Sequence, residues 1–155
     1  LQNDALLNVI NLNLQKDFKL WLFHLDHRLL FQYSSDSNVL PVPLLTTHFR
    51  DYIEFVAVPN ALTIQIGADA TYNTAYYAPA WNPALNRFQL QNEEKVGNNP
   101  YIDVFVNLQW KRASIFLKFV NVAQGWPGGD TFSAYRYIRP YRTFKFGIHW
   151  PFYIR

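Results

Sequence analysis

Between Thr143 and Tyr153 the chain alternates without interruption. Phe144, Phe146, Ile148, Trp150 and Phe152 take every second position, with Thr143, Lys145, Gly147 and His149 between them. Successive side chains of a β-strand point to opposite faces, so this segment carries one aromatic stripe and one polar, charged stripe. In a soluble sandwich the aromatic stripe would be core; in a membrane-spanning barrel it faces lipid, and the polar stripe faces a wet lumen. Only Ile154 and Arg155 follow Tyr153, and the segment reads as the closing strand of a bacterial outer-membrane β-barrel.

Composition supports short-range mixing rather than apolar blocks. Half of the 155 residues are hydrophobic and 18% are aromatic, yet the mean hydropathy is slightly negative. No run approaches the roughly 18 consecutive apolar residues of a membrane helix; the densest stretches, Leu20–Leu25 and Ile102–Val106, are broken or bounded by polar residues. The absence of cysteine excludes disulfides, zinc–thiolate sites and thiol nucleophiles. The net charge of +3 is spread along the chain, and its one local concentration, Arg136, Arg139 and Arg142, falls in a Tyr- and Pro-rich connection. That pattern argues against a nucleic-acid partner. The chain opens at Leu1 without a basic n-region or apolar signal core, which reads as a removed signal peptide or the tail of a longer polypeptide.

About seven strand-like segments follow one another, with connections alternately short and long. The first spans roughly Leu6 to Gln15, and Lys16-Asp17 is expected to turn the chain into a second from Phe18 to Tyr33. In the second, Trp21, Phe23, Leu25, Leu29 and Phe31 oppose Leu22, His24, Asp26, Arg28 and Gln32. A third segment, Phe49 to Val58, turns at Pro59-Asn60 into a fourth carrying Leu62, Ile64, Ile66, Ala68 and Ala70 against Thr63, Gln65, Gly67, Asp69 and Thr71. A fifth sets Ile102, Val104, Val106, Leu108 and Trp110 against Asp103, Asn107 and Gln109. Lys111-Arg112 turns it into a sixth, where Ile115, Leu117 and Phe119 oppose Ser114 and Lys118. Long connections cover about 34–48, 73–99 and 124–142. Short turns at one end and long loops at the other are the pattern of an outer-membrane barrel.

The expected fold is therefore all-β, an antiparallel up-and-down transmembrane barrel. Seven strands are odd in number, and an open sheet edge in hydrocarbon is prohibitive, so the chain is expected to be the C-terminal part of a larger barrel domain. A soluble β-sandwich is the competing architecture, but strands of 10 to 14 residues exceed its usual length of about 5–6.

The polar parity nominates lumen-lining residues: His24, Asp26, Arg28, Glu54, Asp69, Asp103, Lys118 and Lys145. His24, Asp26 and Arg28 resemble an acid–base set, but strand neighbours two apart are about 7 Å from one another, too far for direct proton transfer. A charged lining suits them better, and both signs on one wall suit small polar solutes rather than a strongly ion-selective pore. The apolar parity gives a membrane girdle and closing strand: Trp21, Trp110, Phe144, Phe146, Trp150, Phe152 and Tyr153. His27 shares that parity and is expected near the surface or at headgroup level rather than as a metal ligand. Tyr76, Tyr77, Trp81, Trp126, Tyr135 and Tyr137 occupy long loops, where they stack on sugars, meet a partner or pack on one another. The four histidines lack zinc-site spacing, and Trp126-Pro127-Gly128-Gly129-Asp130 lacks the Lys-Ser/Thr of a phosphate loop and reads as a tight turn.

Several stretches carry a family likeness: Val39-Leu40-Pro41-Val42-Pro43, Leu62 to Asp69, Tyr76 to Leu85, Ile102-Asp103-Val104-Phe105, Arg112 to Val122 and Phe144 to Tyr153. Their order resembles the C-terminal region of the Bacteroidota-type putative porins, large outer-membrane barrels. The likeness covers roughly residues 38 to 153 and is most specific in YYAPAWNPAL and the closing strand. Residues 1 to 37 match in pattern only, and Ile154-Arg155 departs from an aromatic terminus. TonB-dependent transporters share the closing-strand chemistry, with a plug domain that would lie upstream. The resemblance implies a channel for passive or partner-gated passage of small polar solutes, without cofactor or catalytic residue. The partners expected are outer-membrane lipid, the solutes themselves, and envelope proteins or an oligomer. A non-conducting barrel that docks other envelope proteins is the alternative; an outer-membrane enzyme would need a nucleophile and base on adjacent strands.

Overall fold

The computed structural model describes residues 6–128 and 132–151. Eleven strands occur in it: β1 (Val9–Leu20), β2 (Phe23–Ser34), β3 (Leu45–Val58), β4 (Leu62–Asn73), β5 (Ala80–Asn82), β6 (Arg87–Gln89), β7 (Tyr101–Trp110), β8 (Ala113–Val120), β9 (Phe132–Ala134), β10 (Tyr137–Ile138) and β11 (Thr143–His149). Seven form one sheet in the order β1-β2-β3-β4-β7-β8-β11. Every neighbouring pair is antiparallel, so the sheet is a simple up-and-down meander. Among the described residues β1 and β11 do not pair with each other, and the sheet is open.

Three tight turns close one end. Leu20 pairs with Phe23 around Trp21-Leu22, Val58 with Leu62 around residues 59–61, and Trp110 with Ala113 around Lys111-Arg112. Trp21, Asn60 and Lys111 each take a left-handed φ, between 51° and 58°, which reverses the chain within two or three residues. The first turn corrects the sequence reading. Lys16 and Asp17 lie within β1, and the chain reverses at Trp21-Leu22. The phase of the alternation records this: Ile10, Leu12, Leu14, Phe18 and Leu20 are even-numbered, and the apolar set becomes odd only from Phe23. Lys16 falls on the apolar parity, and its charge made the strand look broken there.

At the other end the long connections carry structure of their own. Residues 74–100 include the β5–β6 hairpin, in which the Asn82 side-chain oxygen accepts the backbone N–H groups of Ala84 and Leu85. Residues 121–142 include β9 and β10. These hairpins are two or three residues per strand, too short to show periodicity. Ala78, Ala80, Val96 and Tyr135, among the most buried residues, all belong to this loop layer.

The register sorts the sheet into two faces. On one, Leu14 meets Leu29, Phe49 meets Ala70, Ile66 meets Val106, and Leu117 lies between Val106 and Phe146. This face is uncovered: Ile10, Leu14, Phe144, Phe146 and Ile148 are more than half exposed, and no second sheet packs against the long strands among the described residues. A sandwich would bury this face under a second sheet; here the architecture is a single sheet. The opposite face collects the polar side chains.

Candidate functional site: the polar face of the sheet

Alternation within strands is visible in sequence, but register across strands is not, and register builds the site. Asp17, Asp26, Arg50, Asp69 and Asp103 are consecutive cross-strand partners from β1 through β2, β3 and β4 to β7. One residue level nearer the tight turns, a second row crosses all seven strands: Lys19, His24, Tyr52, Gly67, Phe105, Lys118 and Lys145. On the loop side of the first row lie Gln15, Arg28, His48, Thr71 and Tyr101. Ionisable groups of both signs thus form a continuous belt across the sheet.

The belt is cross-linked by charge. Lys118 Nζ lies 2.9 Å from Asp103 Oδ2 and 3.3 Å from Asp69 Oδ2, and Arg50 Nε is 3.6 Å from Asp69 Oδ1. Two carboxylates directly opposite one another repel, and Lys118 between them offsets that. Asp103 accepts a further hydrogen bond from the Asn121 backbone N–H at 2.8 Å, which ties the belt to the start of a long loop. The Arg50 guanidinium also lies over the rings of Phe105 (5.1 Å) and Tyr52 (5.9 Å), a cation–π arrangement that holds its head against the wall. The imidazole of His24 stacks on Tyr52 at 4.7 Å.

Gly67 makes this packing possible. A Cβ there would collide with the Asp51 carbonyl oxygen and with Tyr52 Cα and Cβ. Tyr52 and Phe105 flank the gap, their ring centroids 6.5 Å apart. Gly147 repeats the device beneath the Phe116 ring. Towards the tight turns a hydrogen-bonded line follows: Gln65 donates to Glu54, and Asn107 donates to Gln65 at 3.1 Å. Glu54, Gln65, Asn107, Gln109, Ser114 and Phe116 border a concavity of about 530 Å³.

The long loops reach onto this face. The Arg139 guanidinium lies 5.8 Å above the ring of Tyr101 and donates to the Asn99 carbonyl at 2.9 Å. Its partial burial lowers its pKa from the ordinary value. Tyr135 donates its hydroxyl to the Glu93 carboxylate, tying residues 121–142 to residues 74–100. That bond and burial raise the phenol pKa.

All eight residues nominated for a lumen, His24, Asp26, Arg28, Glu54, Asp69, Asp103, Lys118 and Lys145, share this polar face. Sequence reasoning missed Asp17, hidden by the misplaced turn, and it left Arg50, Tyr52, Tyr101 and Phe105 out of the lining. Trp21, Trp110 and Trp150 lie at the tight-turn end and are mostly exposed, and Phe144 and Phe146 lie on the apolar face. Phe152 and Tyr153 lie outside the described residues. Tyr33 and Tyr72, also unforeseen, mark the loop end of the apolar face. The loop aromatics divide: Tyr76 bridges Val96 through its backbone, Lys95 sits over Tyr77, and Trp81 meets Phe88 edge-on at 5.0 Å, while Trp126 and Tyr137 are exposed. His27 lies mid-strand, with Nε2 2.9 Å from Asp51 Oδ1. Among the described residues no cluster of three His, Asp or Glu side chains is placed to hold a metal ion.

A single open antiparallel sheet with one apolar exposed face and one face belted with charge is consistent with part of a barrel. A family model described as "Putative porin" matches residues 1–153. The chain belongs to the putative porin family. No curated protein and no solved structure matches it. For a porin-family chain the two faces have a ready physical account: the apolar exterior needs no covering layer where lipid supplies it, and the charged interior needs no core where water fills it.

Proposed function

We propose that this chain forms part of the wall of an outer-membrane channel through which small polar solutes pass, passively or under control of a partner. The observation that carries the reading is the belt from Asp17 to Asp103 with Lys118 and Lys145 beside it, both signs in adjoining rows on the face opposite the exposed apolar residues. A wall with paired opposite charges sets a field across the passage, which orients dipolar solutes without excluding either ion sign. No step of this function needs a nucleophile or a cofactor.

Membrane dimensions agree with it. From Leu62, paired with Trp110, to Tyr72 is ten residue-to-residue steps along β4. At about 3.4 Å per residue and a tilt of about 40° this spans roughly 26 Å, close to the apolar band of about 25 Å of such barrels. β1 and β11 run in the same direction, because five strands separate them in an alternating sheet. Antiparallel closure therefore takes an odd number of further strands, supplied by the same polypeptide, and makes the total even.

The alternative, a non-conducting barrel that docks other envelope proteins, draws support from the loops. Arg139 over Tyr101 lays residues 139–142 towards the polar face. Single-channel recording of the complete polypeptide in a planar bilayer separates the two readings. Discrete stable openings are expected; a folded but silent barrel overturns the channel and leaves the docking role.

A further inference from the structure

Among the described residues the ionisable side chains on the apolar face of the strands gather in one patch, and it lies at mid-depth. Lys16, His27 and Asp51 all have side chains on the lipid-side parity: Lys16 is the cross-strand partner of His27, and Asp51 is two residues beyond His27's other partner, Phe49. His27 is six residues from Trp21 at the tight-turn end of β2 and six from Tyr33 at its loop end. It is held to Asp51 at 2.9 Å and boxed by the rings of Phe18 and Phe49. Asp51 is nonetheless 48% exposed on its outward side. The Lys16 ammonium sits 5.6 Å over the Phe18 ring, with no carboxylate in ion-pair reach among the described residues. Charges this deep in a membrane are costly when they face lipid, and where they persist they face protein or water.

We infer that this patch is a two-fold contact between two copies of the barrel, in which Lys16 of each copy meets Asp51 of the other across His27. The inference rests on the membrane reading above. Two copies inserted in the same orientation are related by a two-fold axis along the membrane normal, which exchanges left and right and preserves depth. Lys16 on β1 and Asp51 on β3 flank His27 on β2, one on each side. They also lie close to one another in level. β3 continues five residues past Ile53, the partner of Phe23, before its own turn, so hydrogen-bonded rows climb away from the turns between β2 and β3. Asp51, two residues nearer the turn than Phe49, comes back towards the level of Lys16, within reach of a long lysine side chain. The patch is thus self-complementary in charge, as an isologous interface requires.

Shape agrees with charge. Beside Asp51 the wall is lowered by Ala68 and Ala70. A groove of about 580 Å³ runs on from Asp51 and Ala68 to Val104, Leu117 and Phe119. Small residues of this kind let two walls approach closely within a membrane. The exposed Leu14 and Phe18 on either side of Lys16 supply the facing ridge.

The chain has no cysteine, so single cysteines report the contact directly. Leu25→Cys and Leu29→Cys, flanking His27 on β2, and Leu117→Cys on β8 are introduced into the full-length polypeptide, and native membranes are treated with a short bismaleimide. The expected result is a homodimer band from positions 25 and 29 and none from 117. A monomer at all three positions, equal cross-linking at 117, or a cross-link from 25 or 29 to a different polypeptide overturns the proposal. The charge pairing is tested in the same cysteine background. Lys16→Asp and Asp51→Lys each set like charges against one another and reduce the dimer by at least about tenfold, and the double exchange restores it. Two losses without restoration overturn the Lys16–Asp51 contact even where the dimer persists. Single-channel recording on the same preparations keeps the two readings apart: a conducting monomer removes the dimer and leaves the channel.

Discussion

Asp69 and Asp103 stand directly opposite each other on β4 and β7, and the Lys118 ammonium reaches both. Their mutual repulsion is held by one side chain from a third strand, so the pair reports on Lys118. Lys118→Met keeps the aliphatic stem and removes the charge. All three side chains are at most one-third exposed, and the expected loss of stability is about 1–3 kcal/mol. In a planar bilayer under a salt gradient, the belt loses one cation, Asp103 is left without its ion-pair partner and Asp69 keeps only Arg50 at 3.6 Å, which raises the permeability ratio of cation to anion. An unchanged or anion-shifted reversal potential places the belt off the conduction path.

The assignment of faces makes an independent prediction on adjacent residues. Ile66 is 43% exposed on the apolar side, and Gln65, the next residue, hydrogen-bonds Glu54 and Asn107 on the polar side. Ile66→Arg places a guanidinium in hydrocarbon and costs about 2–4 kcal/mol. Gln65→Arg places it in water beside Glu54 and costs under about 1 kcal/mol. Urea unfolding of liposome-inserted protein measures both, and equal costs contradict the inside–outside assignment.

Much of this was legible from single strands and little from their pairing. Phe144, Phe146, Ile148 and Trp150 announce a two-faced strand without help from any neighbour, and the same parity placed Asp69, Asp103 and Lys118 on one face. Where parity broke, the reading broke. Lys16 sits on the apolar side, so it looked like a turn residue, and the error carried Asp17 out of the belt with it. The true turn at Trp21-Leu22 contains no Gly, Asn or Pro, and its signal is only the shift from even to odd apolar positions. The rows themselves depend on loop lengths and on the bulge near Val58, which residue types do not encode.

Two glycines of the polar face differ in what a methyl group would strike. At Gly67 the obstacles are the Asp51 carbonyl and Tyr52 Cα and Cβ, whereas at Gly147 they are carbons of the Phe116 ring, a side chain 46% exposed and free to swing. Gly67→Ala displaces β3 and costs about 1–3 kcal/mol; Gly147→Ala is absorbed by a ring rotation and costs under about 1 kcal/mol. The two urea midpoints decide this, and a reversed order removes backbone approach as the reason for Gly67.

The loop layer depends on a proton. Tyr135 donates to Glu93 only while its phenol is neutral, and that hydrogen bond, with burial, holds its pKa above the ordinary 10.0. A raised value means that the contact contributes fully below the ordinary tyrosine range and is lost as pH rises through the shifted one. Amide hydrogen exchange corrected for intrinsic rates, or limited proteolysis of residues 121–142, is therefore expected to be flat from neutral pH to about 10 and to rise steeply above it. Tyr135→Phe removes the donor and is expected to give the faster, loosened behaviour at neutral pH, with the alkaline step abolished. Were that step to persist in Tyr135→Phe, another titrating group would carry it and not the phenol; were the variant instead unchanged at neutral pH, the junction between the two loops would rest on Arg136, whose guanidinium lies 3.7 Å from Glu93 and keeps its charge throughout this range.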